Sequence, residues 1–471
     1  MIDEAAKIEK STLRKLLRLI LESAPMGYNY KSDRELREKA NEFFRAARDS
    51  VWEDKSSLRE LFEKGSYQHL NGIFFEVNEK VREAQNQLVA RCIKLLGPKL
   101  GNEKEIVDLA WKHVCQSLAE ISPSSDIPAI EKEFLDDLFR DAKRDFVYLV
   151  PNYIIGFREH VQEIKIGPVR AILSNDLLLS EMQNLKNIVQ VGSEFKFSFE
   201  GINSNSLIQI PPTCWYISVN AARGNAAEEA IWLINVAVSL LRLSYPHREY
   251  LDFPSFGDAE PMPTTDLKVE EQGVLLNPEG GISINASRPH FYVVDDAISA
   301  ITKEQEFKDR AQAIFFSDEK PLAKRFSQGL GWLTRGRQTI DRAERFLFFF
   351  TAIESLLSSN DSSAPVVQTI ARYAATILSP NAGKREKIAK EVKSLYGARS
   401  ALVHAGKRGV SQSESNAAQY LAELLYITVM ESVPLTVPFD KFQASLSEAS
   451  YGLPWPQSKP SSPPSQPNAS E

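Results

Sequence analysis

The sequence predicts a mainly α, multidomain protein with an α+β region in its middle, and three observations support this prediction. The chain has 471 residues, which exceeds the size at which a single hydrophobic core keeps growing. Apolar residues recur at helical spacing in the first 150 residues and again from about residue 300. Between those parts, aromatic and β-branched residues alternate with polar ones, which is typical of strands.

The N-terminal region, residues 1–150, is predicted to be helical. Its apolar residues fall one helical turn apart in the segments 13–21, 88–96 and 134–138. The first residues are charged and lack the apolar core of a signal peptide. No apolar run in the chain is long enough to cross a bilayer. We therefore expect a cytoplasmic protein that has no membrane partner.

The three cysteines, Cys92, Cys115 and Cys214, lie far apart in the sequence and form no CxxC pair. This spacing argues against a disulfide framework and against a zinc site, and it fits a reducing compartment. Hydrophobic residues make up 43% of the chain and the formal net charge is -6. The mild acidity argues against a protein that coats nucleic acid over its whole surface, but it leaves room for a local basic patch.

The middle region, residues 151–300, is predicted to be an α+β domain with a sensing or regulatory role. Strand patterns occur near residues 195–199, 207–210, 215–219, 282–284 and 290–294, and a helix is predicted for residues 226–243. Turn-forming residues cluster at 254–263 and 277–281.

The C-terminal region, residues 301–450, is predicted to be a bundle of four helices with short connections. Their predicted bounds are 342–357, 366–378, 385–404 and 413–431. The last segment, residues 451–471, is rich in Pro and Ser, so we expect it to be disordered.

One segment of the third helix carries a recognisable pattern. Residues 395–406 read LYGARSALVHAG, which places Arg399 five residues before His404. This pattern resembles the signature of HEPN domains, particularly the Apea-like branch found in bacterial defence proteins. Two upstream segments are similar to the same family: residues 341–345 lead into a first long helix that contains Glu354, and residues 370–374 resemble the second helix. The resemblance covers roughly the last third of the chain.

The resemblance implies a C-terminal HEPN four-helix bundle that acts as a metal-independent endoribonuclease without a cofactor, as an antiviral-defence or toxin-like effector. RNA can be cut when its own 2′-hydroxyl attacks the adjacent phosphate, which requires a base, an acid and positive charge beside the phosphorane. A histidine has an unperturbed pKa of about 6.5 and suits either proton role. An arginine offers phosphate a planar fork of donors. Arg399 and His404 are thus the predicted catalytic residues, and no metal site is expected.

Three further residues are expected to support this pair. Ser400 departs from the commonest ribonuclease pattern, which has Asn, Asp or His beside the arginine, although a serine hydroxyl can still hydrogen-bond a phosphate. Glu354 shares a helix face with apolar residues, so it is expected to turn inward and to need a partner. Its expected role is to orient Arg399 or Arg372.

Local charge favours an RNA-binding surface near the motif. Eight basic and two acidic residues lie between positions 384 and 408, a local excess of six positive charges in a net acidic chain. The predicted RNA ligands are Lys384, Arg385, Lys407 and Arg408. A solvated helix face is the alternative interpretation for Lys387, Lys390 and Lys393.

On a regular helix, Arg399 and His404 are separated by about 140° around the axis, so they do not share a face. Members of the resembled family pair as dimers, and a homodimer through the C-terminal bundle would bring two motifs to one cleft. One histidine could then act as the base and the other as the acid. An unidentified trigger or regulator is expected to bind the N-terminal regions.

Each motif residue also has a structural interpretation. His404 lies near a helix C-terminus, where a charged imidazole is favoured by the helix macrodipole. Arg399 could simply pair with Glu354 inside the bundle. The alternative function is therefore a non-catalytic HEPN module that binds RNA, a nucleotide or a protein partner.

Overall fold

The computed structural model of the chain describes residues 33–52, 58–64, 67–119, 127–142, 145–152, 155–157, 163–173, 188–191, 194–197, 208–209, 213–244, 275–276, 282–283, 292–294, 296–316, 321–339, 341–358, 366–406 and 408–456. The chain divides into two compact units, one comprising Met1–Tyr148 with Ser218–Ala230 and the other comprising Leu149–Ile217 with Ile231–Glu471. The division into three structured domains and a tail remains a prediction.

The first unit is mainly helical, as its apolar spacing predicts. Its helices include α1 (Arg34–Asp49), α2 (Leu58–Lys64), α3 (Glu79–Leu100), α4 (Glu103–Ala119) and α5 (Ile127–Asp141). Aromatic rings fill the core between α1 and α4, where Phe43 lies edge to face with Phe44 at 5.5 Å and with Trp111 at 5.4 Å between ring centroids. The predicted helix at 13–21 lies outside the described residues.

The N-terminal region also contains a β-hairpin, which departs from the purely helical prediction. Its strands are β1 (Tyr67–Leu70) and β2 (Ile73–Glu76), and its turn consists of Asn71 and Gly72 with φ values of 49° and 80°. A tight hairpin turn needs positive φ at both central positions, which Asn and Gly adopt most readily. The Asn-Gly pair is therefore the sequence signal that identifies this hairpin.

Strands and one long helix make up the described part of the middle region. The strands are β3 (Asp145–Pro151), β4 (Ile155–Phe157), β5 (Glu163–Ile166), β6 (Val169–Leu173), β7 (Ile188–Val191), β8 (Glu194–Phe197), β9 (Ile208–Gln209), β10 (Thr213–Asn220), β11 (Leu275–Leu276), β12 (Ile282–Ser283) and β13 (Tyr292–Val294). Four of them form a sheet in the order β3-β10-β6-β5, in which β6 pairs antiparallel with both β5 and β10. The predicted helix at 226–243 is present as α6 (Arg223–Leu243). The turn clusters at 254–263 and 277–281 lie outside the described residues.

Helices account for the described C-terminal part. They are α7 (Asp296–Lys303), α8 (Gln305–Phe316), α9 (Leu322–Gln338), α10 (Arg342–Leu357), α11 (Val366–Leu378), α12 (Ala382–Ala405), α13 (Gln412–Ser432) and α14 (Phe439–Ser450). The four predicted helices are confirmed as α10 to α13. The bounds of α10 and α11 agree with the prediction, and those of α12 and α13 differ from it by at most three residues.

Helix α10 lies at the centre of the C-terminal helices. It packs against α9 and α13 and also contacts α11 and α12, while α11 packs mainly along α12. The residues Phe346, Phe349 and Phe350 of α10 are fully buried among these helices. Helices α9 and α14 add to the four predicted ones, because α9 packs on α10 and α14 packs on α11. The burial of these apolar side chains stabilises the packing of the helices around α10.

A buried ion pair joins α9 to α13. Arg337 donates hydrogen bonds through Nε and Nη2 to the two carboxylate oxygens of Glu423, the second at 2.7 Å. Both side chains are at most 3% exposed. The paired geometry satisfies both carboxylate oxygens, which is the condition under which two charges are tolerated in a core.

No helix within the described ranges is both long and apolar enough to cross a membrane. The structure describes residues 451–456 of the predicted tail, whereas residues 457–471 lie outside it. The expectation of disorder in that tail therefore remains a prediction.

Candidate functional site

Helix α12 carries both residues of the predicted motif. Its N-terminus is capped by Asn381, whose side chain accepts a hydrogen bond from the backbone N–H of Lys384 at 3.1 Å. The helix ends at Gly406, which adopts a left-handed conformation with φ of 64° and donates its N–H to the carbonyl of Ala401. Because α12 is helical through Gly397, Arg399 and His404 keep the separation of about 140° expected of a regular helix.

Arg399 occupies the inner face of α12. Buried apolar residues share this face at helical spacing: Val392, Leu395 and Leu402. Arg399 Nη2 donates a hydrogen bond to Oε2 of Glu354 on α10 at 3.1 Å, and these side chains are 23% and 20% exposed. The guanidinium also lies 5.8 Å from the ring centroid of Tyr396. Both Glu354 and Tyr396 thus hold the guanidinium of Arg399. The hydrogen bond from Arg399 to Glu354 is the contact that Glu354 needs in order to orient Arg399, as predicted.

The carboxyl group of Glu354 is in an unfavourable place for a charge. Burial raises its pKa above the ordinary value, and the positive charge and hydrogen bond of Arg399 oppose that effect. Within the described residues, no hydrogen bond or ion pair joins Glu354 to Arg372. Of the two partners expected from the sequence, the structure therefore pairs Glu354 with Arg399.

His404 lies on the outer face of α12, in its last turn. Its side chain is exposed, and it makes no hydrogen bond or ion pair with any other residue that the structure describes. Ser400 precedes it by one turn and is half-buried, while the neighbouring apolar residue Val403 is 47% exposed. His404 is therefore accessible to a ligand, but one chain does not bring it together with Arg399.

The loop after His404 is fixed to the start of α10. Arg408 forms an ion pair with Asp341, which also caps α10 by accepting hydrogen bonds from the backbone N–H groups of Ala343 and Glu344 at 2.9 and 3.0 Å. The Glu344 N–H, together with Arg408, lowers the pKa of Asp341. Arg408, a predicted RNA ligand, thus already has a partner that anchors this loop. Lys407 lies outside the described residues.

The other basic residues that were predicted to bind RNA or to support the catalytic pair lie near the start of α12. Lys384 is exposed in the first turn. Arg385 donates hydrogen bonds through Nε to the carbonyl of Ser379 at 2.7 Å and through Nη1 to that of Ala449 at 2.9 Å. Arg372 and Arg385 line a groove of about 610 Å³ between α11 and α12, which Lys393 also lines. Arg372 therefore belongs to this groove rather than to the pair formed by Arg399 and Glu354.

The described cysteines and acidic residues do not suggest a reactive thiol or a metal site. Burial raises the pKa of Cys92 to about 12 and that of Cys214 to about 11, so neither thiol is deprotonated near neutral pH. Burial also raises the pKa of Cys115. In the part of the chain that the structure describes, no three His, Cys, Asp or Glu side chains are grouped so that they could hold a metal ion.

Comparisons of this chain with protein-family models, with curated proteins and with solved structures found no match. The interpretation of the site therefore depends on its own residues and their geometry.

Proposed function

We propose that the chain is a metal-independent endoribonuclease of the HEPN type, in the Apea-like branch, with Arg399 and His404 as its catalytic residues. The observation that carries the proposal is the placement of both residues on one helix of a helical assembly. His404 is exposed there and makes no polar contact with the described residues, and Glu354 of a neighbouring helix holds Arg399. An exposed imidazole and a positioned guanidinium are the groups that RNA transesterification needs.

The proposed reaction uses the nucleophile that RNA itself contains. The 2′-oxygen attacks the adjacent phosphorus and forms the O2′–P bond while the P–O5′ bond breaks. A base takes the proton of the 2′-hydroxyl, and an acid delivers a proton to the departing 5′-oxygen. The products are a 2′,3′-cyclic phosphate and a 5′-hydroxyl. Arginine stabilises the negative charge that accumulates on the phosphorane oxygens, which is often the largest contribution to catalysis.

The divergence of Arg399 and His404 favours a site shared by two chains. A two-fold axis beside the end of α12 would place each motif opposite its own copy, since such an interface is isologous. The exposed Val403 beside His404 supplies apolar surface for that contact. A stable homodimer through the C-terminal bundle should bury at least about 1,000 Å² in total. In such a dimer one His404 would act as the base and the other as the acid.

The direct test of the reaction is incubation of the full-length protein with a panel of labelled RNAs in EDTA. We expect cleavage without divalent metal and products that end in a 2′,3′-cyclic phosphate. Products that end in a 3′-hydroxyl, or cleavage that requires added Mg²⁺, would contradict this mechanism.

The shared cleft has its own test. Subunits that carry His404→Ala are mixed with subunits that carry Arg399→Ala and are allowed to exchange. If each cleft uses groups from both chains, the mixture should differ in activity from either parent. A fully active wild-type protein that remains monomeric by light scattering at the assay concentration would rule the shared cleft out.

A second function is favoured by one specific observation, namely that Arg399 is already engaged by Glu354. A non-catalytic HEPN module that binds RNA, a nucleotide or a protein partner would need no free catalytic arginine. The two functions differ in the assay, because a binding module retains intact RNA whereas a ribonuclease shortens it.

The biological role belongs to the proposal as well. We propose an antiviral-defence or toxin-like effector that acts in the cytoplasm and whose N-terminal regions respond to a trigger. Expression of the wild-type protein should then slow cell growth under activating conditions, and His404→Ala should relieve that effect. Equal toxicity of both proteins would contradict an effector role for the nuclease.

A further inference from the structure

The groove between α11 and α12 has the composition of an anion-binding site. Its walls carry three basic side chains, Arg372, Arg385 and Lys393, against a single lining acid, Glu386. Small residues, including Ala375 and Ala389, also line it. With a volume of about 610 Å³, the groove is large enough for more than a bound ion. It is open to solvent, so an extended polyanion could enter it.

Arg385 is fixed in this groove before any ligand arrives. Two of its nitrogens donate to the backbone carbonyls of Ser379 and Ala449, at the ends of α11 and α14. Its remaining nitrogen, Nη2, makes no hydrogen bond with another residue in the described ranges. A guanidinium held in this way loses little conformational entropy when it binds a phosphate.

The other two cations are available for a ligand. Arg372 and Lys393 are both exposed, and neither forms an ion pair with any residue described by the structure. The guanidinium of Arg372 lies 5.1 Å from the ring centroid of Tyr373, its neighbour on α11. Two cations that form no ion pair within the described ranges, together with the fixed Arg385, outnumber the single lining acid Glu386 and so favour a negatively charged ligand.

Lys393, a lining residue of the groove, shares a helix face with His404, and this face is turned by more than 100° from Arg399 around the axis of α12. At 100° per residue, Lys393, Gly397, Ser400 and His404 fall within about 60° of one another around the axis. Lys393 and His404 are separated by about 16 Å along the helix. A side chain added at Gly397 would meet no atom within 4 Å. Lys393, Gly397 and His404 are exposed on this face and Ser400 is half-buried, so the face is accessible to a ligand between the groove and His404.

We infer that this groove binds backbone phosphates of a single-stranded RNA that continues along the outer face of α12 to His404. The inference rests on the proposed ribonuclease function and adds the path of its substrate. Single strands suit such a path, because a line of positive charge can follow their flexible backbone. The basic residues between positions 384 and 408 therefore do not all contribute to this site. Arg385 and Lys393 line the groove, whereas Lys387 does not.

The test measures RNA binding separately from RNA cleavage. In the full-length His404→Ala protein, we would compare Arg372→Glu, Lys393→Glu and Lys387→Glu by fluorescence anisotropy with a labelled single-stranded RNA. Lys387→Glu is the matched control for Lys393→Glu, since it makes the same change in charge on the same helix outside the groove. We expect the Kd to rise about ten-fold or more for each groove variant, as for a lost charged hydrogen bond, and about two-fold for the control.

Two further readouts sharpen this test. Each lost phosphate contact should reduce the slope of log K against log salt concentration by about 0.7. Glu386→Gln removes the lining acid and should tighten binding about two-fold or three-fold. Lys393→Gln serves as a milder variant if Lys393→Glu fails to fold, with circular dichroism as the check.

The outcomes separate this inference from the proposed function. If the wild-type protein cuts RNA but the groove variants bind it as Lys387→Glu does, the path is wrong and the ribonuclease function stands. If the His404→Ala protein binds no RNA, the path is also overturned, and cleavage by the wild-type protein decides the function independently. Weakened binding in both groove variants, with little change in the control, would support the path.

Discussion

Among the arginine–glutamate pairs that link helices in the described C-terminal part, two differ in how exposed their side chains are. Arg337 and Glu423 make two hydrogen bonds and are almost completely buried. Arg399 and Glu354 make one hydrogen bond at 3.1 Å, and about a fifth of each side chain remains exposed. The first pair is closed to ligands and can only hold α9 against α13. In the second pair, Arg399 keeps further N–H donors and access to solvent, which a residue that binds a substrate requires.

The difference predicts unequal costs when each arginine is removed. Arg337→Ala should lower the free energy of unfolding by about 3–5 kcal/mol, because it leaves the buried charge of Glu423 without a partner. Urea denaturation measures this loss. Replacing both partners together, as Arg337→Met with Glu423→Leu, should recover most of it. A loss below about 1 kcal/mol for Arg337→Ala would show that the pair is not a structural clamp.

Arg399→Ala should cost less, about 1–2 kcal/mol, because one charged hydrogen bond is lost and Glu354 keeps some access to water. The same urea titration compares it with Arg337→Ala. If Arg399→Ala proves as destabilising as Arg337→Ala, then Arg399 is mainly structural and its catalytic assignment weakens.

The smallest expected effect concerns pH. Burial raises the pKa of Glu354 above its ordinary value of 4.5, so the folded protein holds this proton more tightly than the unfolded chain does. The stability that this group contributes is complete below the ordinary pKa and falls as the pH rises through the raised folded value. The stability of the wild type minus that of Glu354→Gln should therefore decrease from about pH 4 to about pH 7. An increase over this range would mean that Arg399 outweighs burial.

Local signals were sufficient to predict the helices around the site. The bounds of α10 and α11 follow from apolar spacing, and Asp341 supplies the cap at the start of α10. The Asn71-Gly72 pair is an equally local signal for the hairpin turn. The helical spacing of the apolar residues around it nevertheless favours the prediction of a helical region. Where the decisive residues are neighbours in sequence, the pattern alone is informative.

Pairing between distant residues was much harder to predict. Arg337 and Glu423 are 86 positions apart, and only the packing of α9 on α10 and α13 brings them together. Arg408 likewise pairs with Asp341, which lies 67 positions away. Its charge alone predicts an RNA ligand and does not reveal that it anchors the loop after His404. The groove depends on two helices that run side by side, so the sequence offers Arg372 as one of two partners for Glu354 and does not place it near Lys393. The sequence predicts the contact between Arg399 and Glu354, but it does not predict that both side chains stay partly exposed.

We propose that His404 takes part in RNA cleavage, whereas Arg337 and Glu423 only maintain the fold. The most direct measurement is the single-turnover rate of RNA cleavage in EDTA for the wild type, His404→Ala and Ser394→Ala, an exposed serine on the same helix. We expect His404→Ala to lose at least about 100-fold in rate, the usual contribution of a general acid or base, with an unchanged circular dichroism spectrum. Ser394→Ala should cleave at the wild-type rate. Wild-type cleavage by His404→Ala would contradict the claim.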